Sequence, residues 1–258
     1  MRIRVAALLL VPAVAFAGSA FDGTWKVKLD SMQTSGKPDS FQVVNGEYTC
    51  SNCDPPYTVK ADGQFHETKG NPYHDSVAVK VLSPTSIEIS SRLAGKVTLV
   101  NTVEAAGDGK ILKGSYVDHT GAKEATGSYT EKRVAAGPAG SHAISGTWKP
   151  DVVTAGNEAA ITVGYAMTAD GFSMHWNGQS YDAKFDGKEY PVNGDPSHTT
   201  VTLKRVDEHT VLESDHRQGK VTDEIRLAVA TDGKTISAED KDLAHGQTST
   251  YTLERVKQ

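Results

Sequence analysis

The chain repeats itself, and this duplication constrains the fold more than any other feature of the sequence. "DGTWKV" at residues 22–27 recurs as "SGTWKP" at 145–150, and "YTEKRV" at 129–134 recurs as "YTLERV" at 251–256. The shared motifs keep their order, and their offset stays between 122 and 124 residues. Matches at both ends of each repeat predict two similar domains rather than one large one.

The repeats set the expected domain boundaries and the fold class. We expect one domain at residues 21–135, a small-residue linker at 136–143 and a second domain at 144–258. Within the repeats, segments such as "VAVKVL" and "TVTLKRV" alternate between apolar and polar residues, which is typical of strands. Asn-Gly and Asp-Gly steps between them indicate hairpins. The sequence therefore predicts an all-β protein of two tandem small antiparallel up-and-down β-barrels, since a closed barrel leaves no exposed edge.

The N-terminal segment predicts export. A basic start, "MRIR", precedes a thirteen-residue apolar run and small residues at cleavage-like positions, so residues 1–20 match a secretory signal peptide. The apolar run is shorter than the ~20 residues of a membrane-spanning helix. Cleavage after Ala20 removes two arginines, which leaves 25 basic against 32 acidic residues and a net charge of −7. We therefore expect a periplasmic or secreted protein with neither a nucleic-acid partner nor a membrane span.

A tryptophan and an arginine stand near opposite ends of each repeat. Trp25 and Arg133 frame the first repeat, and Trp148 and Arg255 frame the second. This pattern resembles the calycin superfamily, the lipocalins and their relatives, and most of all exported bacterial lipocalin-like domains of unknown role. The resemblance implies that each Gly-x-Trp lies on a first strand and packs under the arginine of the last strand of the same repeat, closing the barrel base by a cation–π contact.

The same resemblance implies a function class. It implies a non-enzymatic exported protein that binds a small apolar or amphipathic ligand in one or both barrels, without a cofactor. Two alternatives stay open: a protein-binding module such as a periplasmic protease inhibitor, and a calycin-like enzyme that uses the histidines of the first barrel. Because the repeats are shorter than typical lipocalins, we do not expect a large cup-like cavity.

Two cysteines, Cys50 and Cys53, stand close together in "YTCSNCDPPY". Haem attachment is excluded because Asp54 rather than histidine follows the second cysteine. The spacing of seven residues between His66 and His74 is too long for a classical zinc finger, and the prolines oppose the helix of a redox dithiol. In an oxidising compartment the pattern favours a local disulfide, with metal binding and redox chemistry as alternatives.

Histidines supply the remaining candidate ligand or metal residues. His74 has a counterpart, His198, in the second repeat, while His66, Asp75 and His119 could gather at one end of the first barrel. A histidine in both repeats could bind a ligand or carry a proton. The competing interpretation is that these are polar turn residues at strand starts. No catalytic or metal-binding motif joins them, so no metal site is predicted.

Overall fold

The computed structural model describes residues 18–257, an all-β protein of two nearly closed ten-stranded antiparallel barrels. Most of the predicted signal peptide lies outside the described residues. The predicted fold class is confirmed. The first repeat supplies the strands β1 Gly23–Gly36, β2 Asp39–Val44, β3 Glu47–Cys50, β4 Tyr57–Lys60, β5 Asp62–Glu67, β6 Ser76–Ser83, β7 Ser86–Leu93, β8 Lys96–Ala105, β9 Ile111–Asp118 and β10 Ala125–Ala136.

The second repeat has the same sequence of strands, and one short 3-10 helix at Glu158–Ala160 follows its first strand. Within the described residues, no helix is long and apolar enough to cross a membrane. The strands are β11 Gly146–Ala155, β12 Thr162–Met167, β13 Gly171–Trp176, β14 Gln179–Lys184, β15 Tyr190–Pro191, β16 Thr200–Arg205, β17 Thr210–Arg217, β18 Lys220–Val229, β19 Thr235–Asp242 and β20 Gln247–Arg255.

The two repeats exchange their first strands. Strand β11 of the second repeat lies between β10 and β2, and it completes what we call barrel one, β2–β11. Strand β1 of the first repeat lies between β20 and β12, and it completes barrel two, β1 with β12–β20. The boundaries 21–135 and 144–258 therefore describe the sequence repeats, whereas each barrel takes one strand from the other repeat.

The exchange changes the partners of the two tryptophans. The Arg255 guanidinium lies 4.2 Å from the ring centroid of Trp25, and that of Arg133 lies 3.9 Å from the ring centroid of Trp148. The predicted pairs, Trp25 with Arg133 and Trp148 with Arg255, are wrong. The physical reason is that the "GTWK" strands are equivalent, and β11 follows β10 after a short loop, so β10 meets β11 at a lower loop-closure cost than β1.

The contact between tryptophan and arginine is the same in both barrels. Both indoles are fully buried, and their N–H groups donate to the carbonyls of Phe21 and Ile144. The glycine of each "GTW" has a positive φ, 137° at Gly23 and 150° at Gly146, and a Cβ atom there would collide with the arginine. The motif therefore needs glycine because the guanidinium lies against the backbone.

The hydrophobic cores lie inside the barrels at these tryptophan ends. Trp148, Ile87, Leu112 and Val79 belong to the core of barrel one. Trp25, Phe172, Tyr181, Leu227 and Leu253 belong to the core of barrel two. Barrel two closes through a bridge between Ser180 and Asn193. Leu253 of the barrel-two core also borders a cavity, so core and cavity adjoin inside this barrel.

Candidate functional site

The ends of the two barrels opposite the tryptophans adjoin, and their interiors share one cavity of about 750 Å³. Barrel one contributes Leu99, Tyr116 and Val153 to its wall, and barrel two contributes Val163 and Tyr251 among others. The expectation that short repeats would lack a large cavity is therefore wrong. Each barrel is small, but the cavity extends across the open ends of both barrels.

Backbone and side-chain contacts hold the two open ends together. In the β13–β14 turn, the Asn177 carbonyl accepts a hydrogen bond from the Ala122 amide at 2.6 Å, and its side chain bonds both backbone groups of Lys123 at 2.8 and 3.0 Å. On another side, the Arg217 guanidinium lies 4.7 Å from the ring centroid of Tyr73. These contacts cross between the barrels, so the cavity belongs to the whole chain.

One side of the cavity carries buried carboxyl groups. Glu213 and Asp215 lie two residues apart on β17, so both face the barrel interior. Asp240 faces the interior from β19. Glu213 is 8% exposed, and its Oε2 accepts a hydrogen bond of 2.5 Å from the Tyr181 hydroxyl. Burial raises the pKa of all three groups, that of Asp240 to about 6. The wall therefore combines partly protonated acids with apolar surface.

A single arginine stands beside these acids. Arg217 Nη1 lies 2.7 Å from Asp223 Oδ2, and its Nη2 lies 3.8 Å from Asp215 Oδ2. Its Nε donates to the Thr199 hydroxyl at 2.9 Å. The guanidinium thus binds Asp223 and Thr199 and packs on Tyr73, and its charge also lowers the pKa of Asp215 and Asp240 against the larger opposite effect of burial.

His74 is the predicted site residue that lines the cavity. Its ring is 9% exposed, shares a 2.8 Å hydrogen bond with the Thr68 hydroxyl, and meets the Tyr57 ring edge-on at 5.6 Å between centroids. Burial lowers its pKa, so the imidazole is neutral at pH 7. The neighbouring Asp75 accepts hydrogen bonds from the Ala94 amide and the Ser76 hydroxyl, which lower its pKa. Asp75 therefore stabilises the loop rather than facing the cavity.

The other predicted histidines lie apart from the cavity wall. His66 pairs with Asp62 at 2.8 Å, and His119 pairs with Glu124 at 3.2 Å. His198 has a left-handed φ of 56° in the loop before β16 and is not among the lining residues. In the described part of the chain, residues 18–257, no group of three or more His, Cys, Asp or Glu side chains could hold a metal ion. The proposed gathering of His66, His74 and His119 is therefore not found.

The cysteines form the favoured local disulfide. Cys50, at the end of β3, is bonded to Cys53, and their Cα atoms are 5.5 Å apart. Cys50 is 6% exposed and belongs to the core of barrel one, against which Cys53 packs. The bond therefore ties the loop between β3 and β4 to the barrel wall.

The sequence did not predict Glu213, Asp215 and Asp240 as cavity residues, because acidic residues usually lie on the protein surface. A comparison of the repeats contains the signal that could have found them. Glu213 and Asp215 align with Ile89 and Ser91, and Asp240 aligns with Tyr116. Inward positions that are apolar or neutral in one repeat and acidic in the other indicate a role beyond packing.

The chain was also compared with known proteins. No protein-family model matches it, and no curated protein sequence matches it significantly.

Proposed function

We propose that the protein binds a small amphipathic molecule in the cavity shared by the two barrels. The observation that carries this proposal is the cavity itself, since its volume of about 750 Å³ lies within the ~300–1,000 Å³ that is typical of small-molecule sites. More than half of its lining residues are apolar or aromatic, and both barrels also contribute polar side chains, such as Asp118 of barrel one and Glu213 of barrel two. The lipocalin-like resemblance of the repeats supports the same function class.

We propose export as part of this function. The sequence of residues 1–20 matches a signal peptide, and the Cys50–Cys53 disulfide is compatible with an oxidising compartment. A binding protein in the periplasm or outside the cell would meet its ligand there. The protease-inhibitor and enzyme alternatives lack a comparable feature among the described residues.

Filling the cavity tests the proposal. Val153, on β11, is half-buried and lines the cavity, so a Val153→Trp variant should occupy space that the ligand needs. We expect it to weaken the binding of Nile red, a neutral fluorescent amphipathic probe, by at least about tenfold. Native mass spectrometry of the protein purified from the periplasm should show a retained small molecule that the variant lacks.

A matched surface variant is the control. Val206 is 50% exposed and is not among the lining residues, so Val206→Trp should leave probe affinity unchanged. Equal probe affinity in the Val153→Trp variant and the wild type, with both proteins folded, would contradict binding in this cavity.

A further inference from the structure

We propose that the Cys50–Cys53 disulfide positions the mouth of the ligand cavity, the opening beside Tyr73. The disulfide holds the loop between β5 and β6, residues 68–75, and thereby slows the escape of a bound ligand. This inference rests on the proposed function and adds what controls the retention of the ligand. It follows from the position of Tyr73, from a continuous series of contacts and from a difference between the two repeats.

Tyr73 lies where the cavity meets solvent. Of the described residues that line the cavity, Tyr73 alone is exposed, at 42%. Its ring packs against the Arg217 guanidinium of barrel two, so it bridges the junction between the barrels. The next residue, His74, is buried and also lines the cavity. A displacement of this loop would therefore widen the opening.

A series of direct contacts connects the disulfide to Tyr73. Asp54 follows Cys53 in the chain, and its carbonyl accepts a 3.0 Å hydrogen bond from the side-chain amide of Asn71. The side-chain oxygen of Asn71 in turn accepts a 2.8 Å hydrogen bond from the Tyr73 backbone amide. The Asn71 side chain therefore joins the two loops by using both its donor and its acceptor.

Two packing contacts strengthen the same connection. The Pro55 ring packs on Gly70, where an added Cβ atom would lie 3.2 Å from the ring. Tyr57 is the register partner of Cys50, and its ring meets the His74 ring edge-on. The disulfide restrains the segment that carries these contacts, so it also restrains the surface on which the β5–β6 loop rests.

The second repeat closes the corresponding gap without a disulfide. There the backbones of Ser180 and Asn193 exchange two hydrogen bonds, of 3.0 and 2.7 Å, which join β14 to the segment between β15 and β16. Pro56 occupies the position of Ser180 in the first repeat, and because proline has no N–H group it cannot form this bridge. The two cysteines correspond to Met174 and Asn177. The disulfide therefore occurs in the repeat that cannot form the backbone bridge.

Ligand dissociation tests the inference. In a Cys50→Ser/Cys53→Ser variant, we expect Nile red to dissociate at least about fivefold faster in stopped-flow dilution, since changes at a binding site act mostly on the dissociation rate. Asn71→Ala removes both hydrogen bonds of the connection and leaves the disulfide intact, so it should accelerate dissociation to a similar extent. Because both variants break the same connection, their combination should give less than the product of the separate effects.

Ile87→Val is the matched control. Ile87 is fully buried in the core of barrel one and is not among the lining residues, so the variant should lower the stability of the barrel and leave the dissociation rate unchanged. Hydrogen-exchange mass spectrometry gives a second readout without ligand. Amides of residues 70–75 should exchange faster than in the wild type in the cysteine and Asn71 variants, but not in the Ile87 variant.

Each outcome supports or overturns a stated part of the inference. Wild-type dissociation in both the cysteine and the Asn71 variants would overturn the role of the disulfide and leave the binding function in place. Acceleration by the cysteine variant alone, fully multiplicative effects, or equal acceleration by Ile87→Val would also overturn it. If the cysteine variant does not fold, the rate for Asn71→Ala decides. Failure of Nile red to bind the wild type would instead overturn the binding function.

Discussion

Glu131 is a carboxyl group buried in barrel one, on β10. It is 8% exposed, and its Oε2 has no hydrogen-bond partner. Burial, together with the nearby Asp39, raises the pKa of Glu131 to about 7. The native protein therefore holds a proton that the unfolded chain releases at lower pH, so the stability contributed by this group falls as pH rises from about 4.5 to about 7.

A Glu131→Gln variant should remove this pH dependence. At pH 4 the neutral acid and the amide are alike, so we expect equal free energies of unfolding. At pH 8 the variant should be more stable by about 1–3 kcal/mol, because the wild type then buries a charge. Urea unfolding at both pH values measures the difference. Glu104→Gln, at an exposed position on β8, is the control, and an equal difference at pH 4 and pH 8 would contradict the prediction.

The contacts between tryptophan and arginine allow a second residue-scale prediction. Truncation of either buried indole to alanine should lower the free energy of unfolding by ~3–5 kcal/mol. A double-mutant cycle with Trp25→Ala and Arg255→Met should show a coupling of ~1–2 kcal/mol. The same cycle with Arg133→Met should show almost none, because Arg133 packs on Trp148. Coupling of Trp25 to Arg133 would contradict the exchanged arrangement.

At the scale of strands, much of the fold could be predicted from the sequence. The duplication predicts two barrels, and the alternation of apolar and polar residues predicts the strands. The Gly-x-Trp motif with a distant arginine predicts the cation–π contact at the closed end of each barrel. The "GTWK" motif alone could not give the partner of each tryptophan, because β1 and β11 share it; the short connection from β10 to β11 is what favours the observed pairing. Identical local sequences carry no information about which of the two pairings forms.

The candidate site was less predictable than the fold. His74 was a candidate and lies on the cavity wall, but Glu213, Asp215 and Asp240 were hidden among many acidic residues. Their inward direction depends on the strand register, and the bulge between Asp215 and His216 shifts that register locally. Alternation alone cannot locate such a shift.

For the whole molecule, the exchange predicts which barrel depends on which end of the chain. Deletion of residues 18–36 removes β1, so we expect amide hydrogens of β12 and β20, its neighbours, to exchange rapidly. Amides of β2 and β10 should stay protected, because β11 lies between them. Hydrogen-exchange mass spectrometry reads both sets in one experiment. Loss of protection in β2 and β10 with β12 and β20 unchanged would show that β1 belongs to barrel one.

The exchange of first strands also determines the order in which the two barrels can close during synthesis of the chain. Barrel one consists of residues that lie close together in the chain, from β2 to β11, so it can close while the rest of the second repeat is still being synthesised. Barrel two joins the earliest strand to the latest, β1 to β20, and must wait for the C-terminus. Throughout that interval β1 lacks both of its neighbouring strands, which makes it the segment most open to wrong strand pairing while the chain folds.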